Sequence, residues 1–311
     1  MNTLKLVVTA IDDTVGGIRT LTLADPDGNP LPSFTPGSHI VVECGGKANA
    51  YSLTGDGNSP TAYVISVLRC ADGSGGSRWI HDELALGDTV AAGPARSAFA
   101  PVLRARRHLL VAAGIGITPM VSHLRSAQTW GRDVHLLYIH RQGRGAYLDT
   151  VAELGQHVSI HTERAAFSAE LLAALADQPF GTHLYVCGPA SFIDDVTGAA
   201  TRLGWPDSRI HLEHFGSEAL DPGEPFTTRV ASTGEEFVVD AGVSLLEELE
   251  RRGFEVPSLC RRGVCGECRL AVSAGTIIHR DLYLTDADKE AGDAVMSCVS
   301  RGGADTLEVA L

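Results

Sequence analysis

The first hundred residues carry short runs of β-branched and aromatic residues, broken by clusters of Gly, Pro, Asn and Asp. The runs are LKLVVTAIDD and IRTLTLAD around Gly16-Gly17, then SHIVVEC, AYSLTG and TAYVISVLR. Their roughly regular spacing predicts an antiparallel barrel or sandwich over residues 1–103. One helix is expected at SRWIHDELA, before Gly87. From Arg107 the rhythm changes. HLLVAAG, VHLLYIH, VSIHTE and HLYVC are apolar strand-like runs, and PMVSHLRSAQTW, AELLAALAD and ASFIDDVTGAATRLG between them have helical spacing. That alternation predicts a parallel sheet with helical crossovers over 104–216, closed by RIHLEHF. The stretch SEALDPGEP, 217–225, is polar with two prolines and a glycine and reads as a linker. In the remaining segment, 226–311, FTTRVAS and EEFVVD predict a hairpin. SLLEELERRG predicts a helix, with capping-box spacing from Ser244 to Glu247 and a stop at Gly253.

Composition narrows the class. A chain of 311 residues, 44% hydrophobic and 20% charged, is globular and long enough for two or three cores. The formal charge of −13 argues against a nucleic-acid surface and against an anionic membrane as main partner. The longest apolar stretch, Leu109–Ile117, is about half the ~20 residues of a membrane helix. The N-terminus has no long apolar region with a cleavage site, so no membrane and a cytoplasmic location are expected. Seven cysteines without a secretory signal make a disulfide scaffold an unattractive reading.

The cysteine spacing carries chemistry. Cys260, Cys265 and Cys268 are followed thirty positions later by Cys298, the C-x₄-C-x₂-C…C spacing of plant-type [2Fe–2S] centres. Two irons need four thiolates; three on one tight loop wrap a small cluster and a distant fourth pins the loop. Gly263 and Gly266 permit positive φ there. The alternatives are buried apolar cysteines and a zinc site, although a zinc ribbon usually shows two close C-x₂-C pairs.

Two further segments suggest nucleotide chemistry. In VAAGIGITPM, Gly114 and Gly116 follow a strand and open a helix, where bare backbone can approach a pyrophosphate. Thr118 is expected to cap that helix and Pro119 to suit its first turn. The third glycine of the dinucleotide fingerprint is absent, so a plain strand–helix turn is the competing reading. A second strand end, Cys187-Gly188-Pro189, opens toward the same sheet edge. In NAYSLTG, Tyr51 offers an aromatic face and Ser52 a hydroxyl to a ring system, with ordinary strand as the alternative. Gly75, Gly76 and Ser77 lead into a helix and could cradle a phosphate, or be a flexible turn.

In this order, the motifs resemble the phthalate dioxygenase reductase family, which includes vanillate demethylase reductases. The resemblance covers nearly all 311 residues. It implies a flavin-binding antiparallel β-barrel, an α/β nucleotide domain, and an α+β plant-type ferredoxin domain of β-grasp form. It implies FMN rather than FAD, NADH as substrate, and an oxygenase partner of Rieske or cytochrome P450 type. By this resemblance Tyr51, Ser52 and Leu53 would contact the flavin ring, and Val67, Leu68 and Arg69 would lie along its tail. Gly75, Gly76 and Ser77 would hold its phosphate, and Phe215 would pack on its face. Thr118 would sit between flavin and nicotinamide. On the residues themselves, Gly114, Gly116, Thr118, Pro119, Arg141, Cys187, Gly188 and Pro189 are the candidates for holding NADH, with Ser52, Thr118 and Cys187 nearest the reacting rings. The family's Arg two residues before the Tyr is Asn49 here; Lys47 or Arg78 could supply the charge.

Hydride transfer needs no general acid or base, so none is assigned; His81 and His214 read as structural. NADH delivers two electrons and the cluster takes one, which is the reason to put a flavin between them. A monomer is expected. Two other readings stay open: a self-contained flavin oxidoreductase whose cluster only stores electrons, and an iron–sulfur sensor. Nine bases against fifteen acids in 226–311 favour a charged docking face over the first of these.

Overall fold

The computed structural model describes residues 3–71, 75–97, 99–155, 157–214, 223–258, 263, 266–281 and 283–311. They fall into two compact units, Met1–Gly216 and Ser217–Leu311. Residues 217–222 of the expected linker lie outside the described residues.

The first unit opens with six antiparallel strands and one helix: β1 (Leu4–Asp12), β2 (Ile18–Ala24), β3 (His39–Cys44), β4 (Lys47–Ser52), β5 (Ala62–Leu68), α1 (Gly76–Asp82) and β6 (Thr89–Ala92). The sheet order is β4-β3-β6-β1-β2-β5. A two-residue period puts Leu6 and Val8 of β1, and Tyr63, Ile65 and Val67 of β5, into one core. The two edge strands meet just past β4. Leu53 bridges Ile65, and the Thr54 N–H donates to the Val64 carbonyl at 2.9 Å. The sheet is therefore a nearly closed antiparallel barrel, which leaves little unpaired edge.

The second half of this unit alternates β7 (Arg107–Ala113), α2 (Ile117–Trp130), β8 (Asp133–Ile139), α3 (Leu148–Leu154), β9 (His157–His161), α4 (Arg164–Ala176), β10 (Thr182–Gly188), α5 (Ala190–Arg202) and β11 (Ile210–His214). All five strands are parallel, in the order β11-β10-β7-β8-β9. Along β7, Leu110 and Ala112 face one apolar core and Leu109 and Val111 the other. Burial on both faces explains why this strand reads as a continuous apolar run. The chain order reverses between β7 and β10, and such a reversal opens a crevice at the carboxyl ends of the strands.

The second unit holds β12 (Phe226–Val230), β13 (Glu236–Val239), α6 (Leu245–Arg251), β14 (Arg269–Ala274), β15 (Ile277–Ile278), α7 (Asp286–Ala291), β16 (Ala294–Met296), β17 (Arg301–Gly302) and β18 (Leu307–Ala310). Its main sheet has the order β13-β12-β18-β14-β16, with β12 and β18 parallel at its centre. Helix α6 buries Leu245, Leu246 and Leu249 in this unit's core. Its first turn is a full capping box: Ser244 Oγ accepts from the Glu247 N–H, and the Glu247 carboxylate accepts from the Ser244 N–H. Gly253 follows at φ +87°. Among the described residues, no helix is long and apolar enough to cross a membrane.

Candidate functional site

The carboxyl ends of β7 and β10 abut. After β7 the chain makes a single 3₁₀ turn, Gly114–Gly116, with Gly114 at φ +55°. A Cβ on Gly116 would collide with the Cys187 carbonyl and come within 2.8 Å of the Gly188 N. A Cβ on Gly188 would meet Phe192 at 2.8 Å and Ala113 at 3.0 Å. Gly116 is thus required by close backbone approach, and Gly188 by the side chains of Phe192 and Ala113 packed over it. The two strand ends read separately in the sequence form one floor at the crevice. Pro189 leads into α5 as its N-cap residue. Thr118 does not cap α2, contrary to expectation. The 3₁₀ turn places the N-cap at Gly116, so Thr118 is already helical and its hydroxyl donates to the Ile115 carbonyl at 3.0 Å. Pro119 follows it, buried in the first turn. Cys187 is fully buried; burial, aided by the Glu213 carboxylate, holds its thiol well above the ordinary value, so it is a neutral group at pH 7. Arg141 lies past the end of β8, exposed, as does Arg144.

The same turn packs against β5 of the barrel. Leu68 and Ile115 lean on one shared apolar core. This brings the barrel's seam to the crevice. Tyr51 is half-buried on β4, and its hydroxyl accepts from Asn49 Nδ2 at 3.2 Å. Ser52 ends β4, and its Oγ is buried with no hydrogen-bond partner among the described residues. A buried hydroxyl left unsatisfied is costly, and a bound polar ring edge would satisfy it. Leu53 is fully buried. Gly75, at φ +101°, precedes α1, and Gly76 packs so tightly on Asn49 that a Cβ would strike its amide. Asn49 therefore lies directly behind the expected phosphate cradle.

Other expected flavin-side residues are engaged within the barrel. Val67 points into its core and its carbonyl meets His81 Nε2 at 2.9 Å. Arg69 pairs with Asp82 at 2.8 Å, and Ser77 Oγ accepts from the Cys70 N–H at 3.2 Å. Arg78 is exposed beside Gly75, and Lys47 is exposed at the start of β4. Phe215 lies outside the described residues.

Of the four spaced cysteines, Cys260 and Cys265 lie outside the described residues. Cys268 and Cys298 are both buried, with sulfurs 3.0 Å apart. That is too long for a disulfide, ~2.05 Å, and short enough for both thiolates to hold one iron. Gly263 is at φ +72°, and a Cβ there would lie 2.6 Å from Val299 and 3.0 Å from Asp281. Gly266 is at φ +82° beneath the Tyr283 ring. Only glycine suits both places. The donor chemistry and the cramped backbone fit a [2Fe–2S] group.

Sequence reasoning missed Arg125 and Tyr147. Arg125 Nε donates to the Thr54 carbonyl at 3.0 Å, and the Tyr147 hydroxyl meets Thr54 Oγ1 at 3.0 Å. No spacing marks either residue, because each acts across two parts of the fold far apart in sequence.

Comparison with known proteins agrees with this geometry. Residues 228–301 match the 2Fe-2S iron-sulfur cluster binding domain, and residues 89–210 match the dimethylamine monooxygenase subunit DmmA-like N-terminal domain. The heme-dependent oxidative N-demethylase beta subunit of Ectopseudomonas mendocina is 37% identical over 305 residues, covering 94% of this chain and 96% of that protein. The phthalate dioxygenase reductase of Burkholderia cepacia is 35% identical over 310 residues, covering 96% and 94%. The solved structure of phthalate dioxygenase reductase, described as modular for electron transfer from pyridine nucleotides to [2Fe–2S], superposes with a TM-score of 0.80 at 33% identity, covering 100% of this chain and 98% of that one. A nearly closed barrel, a parallel-sheet nucleotide domain and a C-terminal 2Fe-2S domain, matched end to end at this identity, make the chain a member of the phthalate dioxygenase reductase family of oxidoreductases.

Proposed function

We propose that this chain oxidises NADH through a bound FMN and passes the electrons, one at a time, through its [2Fe–2S] cluster to a partner oxygenase. The observation that carries the reading is the junction in the first unit. There the Gly114–Gly116 turn packs both on the Cys187–Gly188 strand end and on β5 of the barrel. One crevice thereby serves a pyrophosphate and a stacked pair of rings. When bound, the flavin supplies the step between two-electron hydride chemistry and the one-electron cluster.

The chain's own residues bind, orient and exclude water. Gly114 and Gly116 let the backbone approach the pyrophosphate at the start of α2. Thr118 and Cys187, buried and neutral, shape the nicotinamide pocket without adding charge to it. Tyr51 gives the flavin ring an aromatic face, and the unsatisfied Ser52 Oγ meets its polar edge. Leu53 meets the ring beside them, Val67, Leu68 and Arg69 lie along the flavin tail, and Phe215 packs on the flavin face. Gly75, Gly76 and Ser77 receive the phosphate, with Asn49 as a neutral donor behind them and Arg78 or Lys47 as the cationic complement. Arg141 meets the adenosine end of the dinucleotide. Cys260, Cys265, Cys268 and Cys298 hold the two irons.

The relatives' names point to oxygenase partners of more than one kind, a heme-dependent N-demethylase and a dioxygenase among them. A Rieske-type or heme oxygenase suits the chain's one-electron outlet. The test is acid release of the flavin with chromatography, followed by anaerobic titration of the intact protein with NADH and with NADPH. FMN at one per chain, bleached by NADH at the lower concentration, is expected. FAD, or a lower KM for NADPH with equal kcat, would overturn those parts of the reading. Absence of flavin would overturn it entirely.

A further inference from the structure

The crevice between barrel and nucleotide lobe is held by a residue to which the preceding reading gives no role. Tyr147 stands just before α3 at φ 59° and ψ 24°, a left-handed conformation that bulky side chains rarely adopt. The segment delivering it is stiff. The Ala146 N–H donates to Tyr138 Oη at 3.1 Å, and the Arg144 N–H to the Arg141 carbonyl at 2.9 Å. A Cβ on Gly145 would come within 2.8 Å of both His140 and Leu148. An outlier held this firmly points to a purpose for its side chain.

The phenol reaches across to the barrel's seam. Its oxygen lies 2.6 Å from Ser66 Oγ on β5 and 3.0 Å from Thr54 Oγ1, just past β4. Ser66 Oγ is in turn 2.7 Å from Thr20 Oγ1 on β2. Hydrogen accounting gives the chain one direction. Thr54 Oγ1 donates to the Val64 carbonyl at 3.2 Å, which spends its only proton. Tyr147 must then donate to Thr54, Ser66 to Tyr147, and Thr20 to Ser66. Hydroxyls aligned in this way polarise one another and strengthen the chain. The seam itself is closed by Leu53–Ile65 and Thr54–Val64, so the phenol bolts both sides of the closure to the nucleotide lobe. Thr54 is gripped a second time by Arg125 of α2. It lies two residues beyond Ser52. Tyr147 also leans on the same apolar core as Ile115, the middle residue of the nucleotide turn.

We propose that Tyr147 is a positioning residue for hydride transfer: through Thr54 and Ser66 its hydroxyl sets the separation between the Tyr51–Leu53 segment and the Gly114–Gly116 turn. This rests on the NADH–flavin reading above. Transfer between stacked rings depends steeply on their approach, so a loosened seam slows the chemical step while leaving the binding of each partner almost intact.

The experiment is anaerobic stopped-flow reduction of the intact protein's flavin by NADH, in wild type, Tyr147→Phe, Thr54→Val, the double variant, and Ser66→Ala. Wild type is measured first. If its flavin is not reduced by NADH, the functional reading fails and this inference falls with it. If it is reduced, Tyr147→Phe is expected to lower the rate per bound flavin about tenfold. The Kd for NADH should change less than twofold, the flavin midpoint potential should hold, and long-wavelength nicotinamide–flavin absorbance should weaken. Thr54→Val should give a loss of the same kind, and the double variant should add nothing to Tyr147→Phe, since the tyrosine bond that Thr54→Val removes is then already gone. Ser66→Ala, which leaves the tyrosine ring untouched, should give a smaller loss of the same kind. A wild-type rate per bound flavin in Tyr147→Phe, with or without lower thermal stability, would overturn the inference. So would fully multiplicative losses in the double variant.

Discussion

Gly116 shows how one missing side chain builds a site. Its Cα faces the carbonyl of Cys187, and main chain cannot fold aside as a flexible side chain can. Forcing a methyl group into a packed interior costs about 1–3 kcal/mol. Gly116→Ala should therefore raise the KM for NADH by roughly tenfold or more while flavin content stays normal, because the collision is with the Cys187 strand end and not with a barrel residue. Steady-state kinetics with a flavin assay check this; an unchanged KM would detach the turn from nucleotide binding. Cys298 carries a second residue-scale prediction. It is buried with its sulfur against that of Cys268, thirty positions earlier. Cys298→Ser should abolish or badly damage the reduced cluster's paramagnetic resonance signal and leave the flavin bound. An unchanged signal would refute it as a ligand.

At the element scale, caps and buried ring groups set stability. Ser244 closes a complete capping box on α6, and such a cap contributes about 1 kcal/mol. Ser244→Ala should lower the melting temperature of the second unit by a few degrees, about 4–8 °C per kcal/mol for a domain of this size, without altering the first. Calorimetry resolves the two transitions. On α2, His123 is buried beside Phe99, whose carbonyl accepts from Nε2 at 2.9 Å. Burial, with His108, His211 and Arg132 nearby, drives its pKa down to about 3. An unfolded chain takes up this proton near the ordinary value of 6.5, and the folded chain takes it up only near 3. The stability this residue contributes is thus complete above pH ~6.5 and is lost as pH falls toward 3. His123→Gln should flatten that acid limb in thermal melts of the intact protein; an unaltered pH profile would contradict it.

Elements with strong local signals were legible in the sequence: β7 as an unbroken apolar run, α6 by its capping box, and the 2Fe-2S domain by its cysteine spacing. Strand β6 was not, because four residues offer only Val90 and Ala92 as inward positions. Helix α3 was missed for a similar reason, being seven residues long, too short for helical periodicity to declare itself. The start of α2 was misread at Thr118, since a 3₁₀ turn can intervene before a helix without any residue announcing it. Nor could sequence show that Asn49 stands against Gly76, or that Tyr147 reaches Thr54; both contacts exist only once the barrel has closed.

At the scale of the whole molecule, the chain falls into two compact units, Met1–Gly216 and Ser217–Leu311. The nucleotide turn and the barrel seam belong to residues 1–216, and the spaced cysteines to 217–311. A chain ending at residue 216 should fold, bind flavin and oxidise NADH with ferricyanide, yet fail to drive a partner oxygenase. Salt should weaken transfer to the partner much more than the ferricyanide activity, because charged surfaces steer only the former encounter. The proposed route takes electrons from NADH through the flavin to the cluster. The most direct measurement is anaerobic stopped-flow mixing of NADH with the intact protein and with Cys298→Ser, following flavin and cluster absorbance together, with paramagnetic resonance on frozen samples. Flavin bleaching should lead and cluster bleaching follow in the intact protein, with a reduced-cluster signal, and only the flavin should bleach in the variant. A flavin that reduces while an intact cluster stays oxidised would contradict the route.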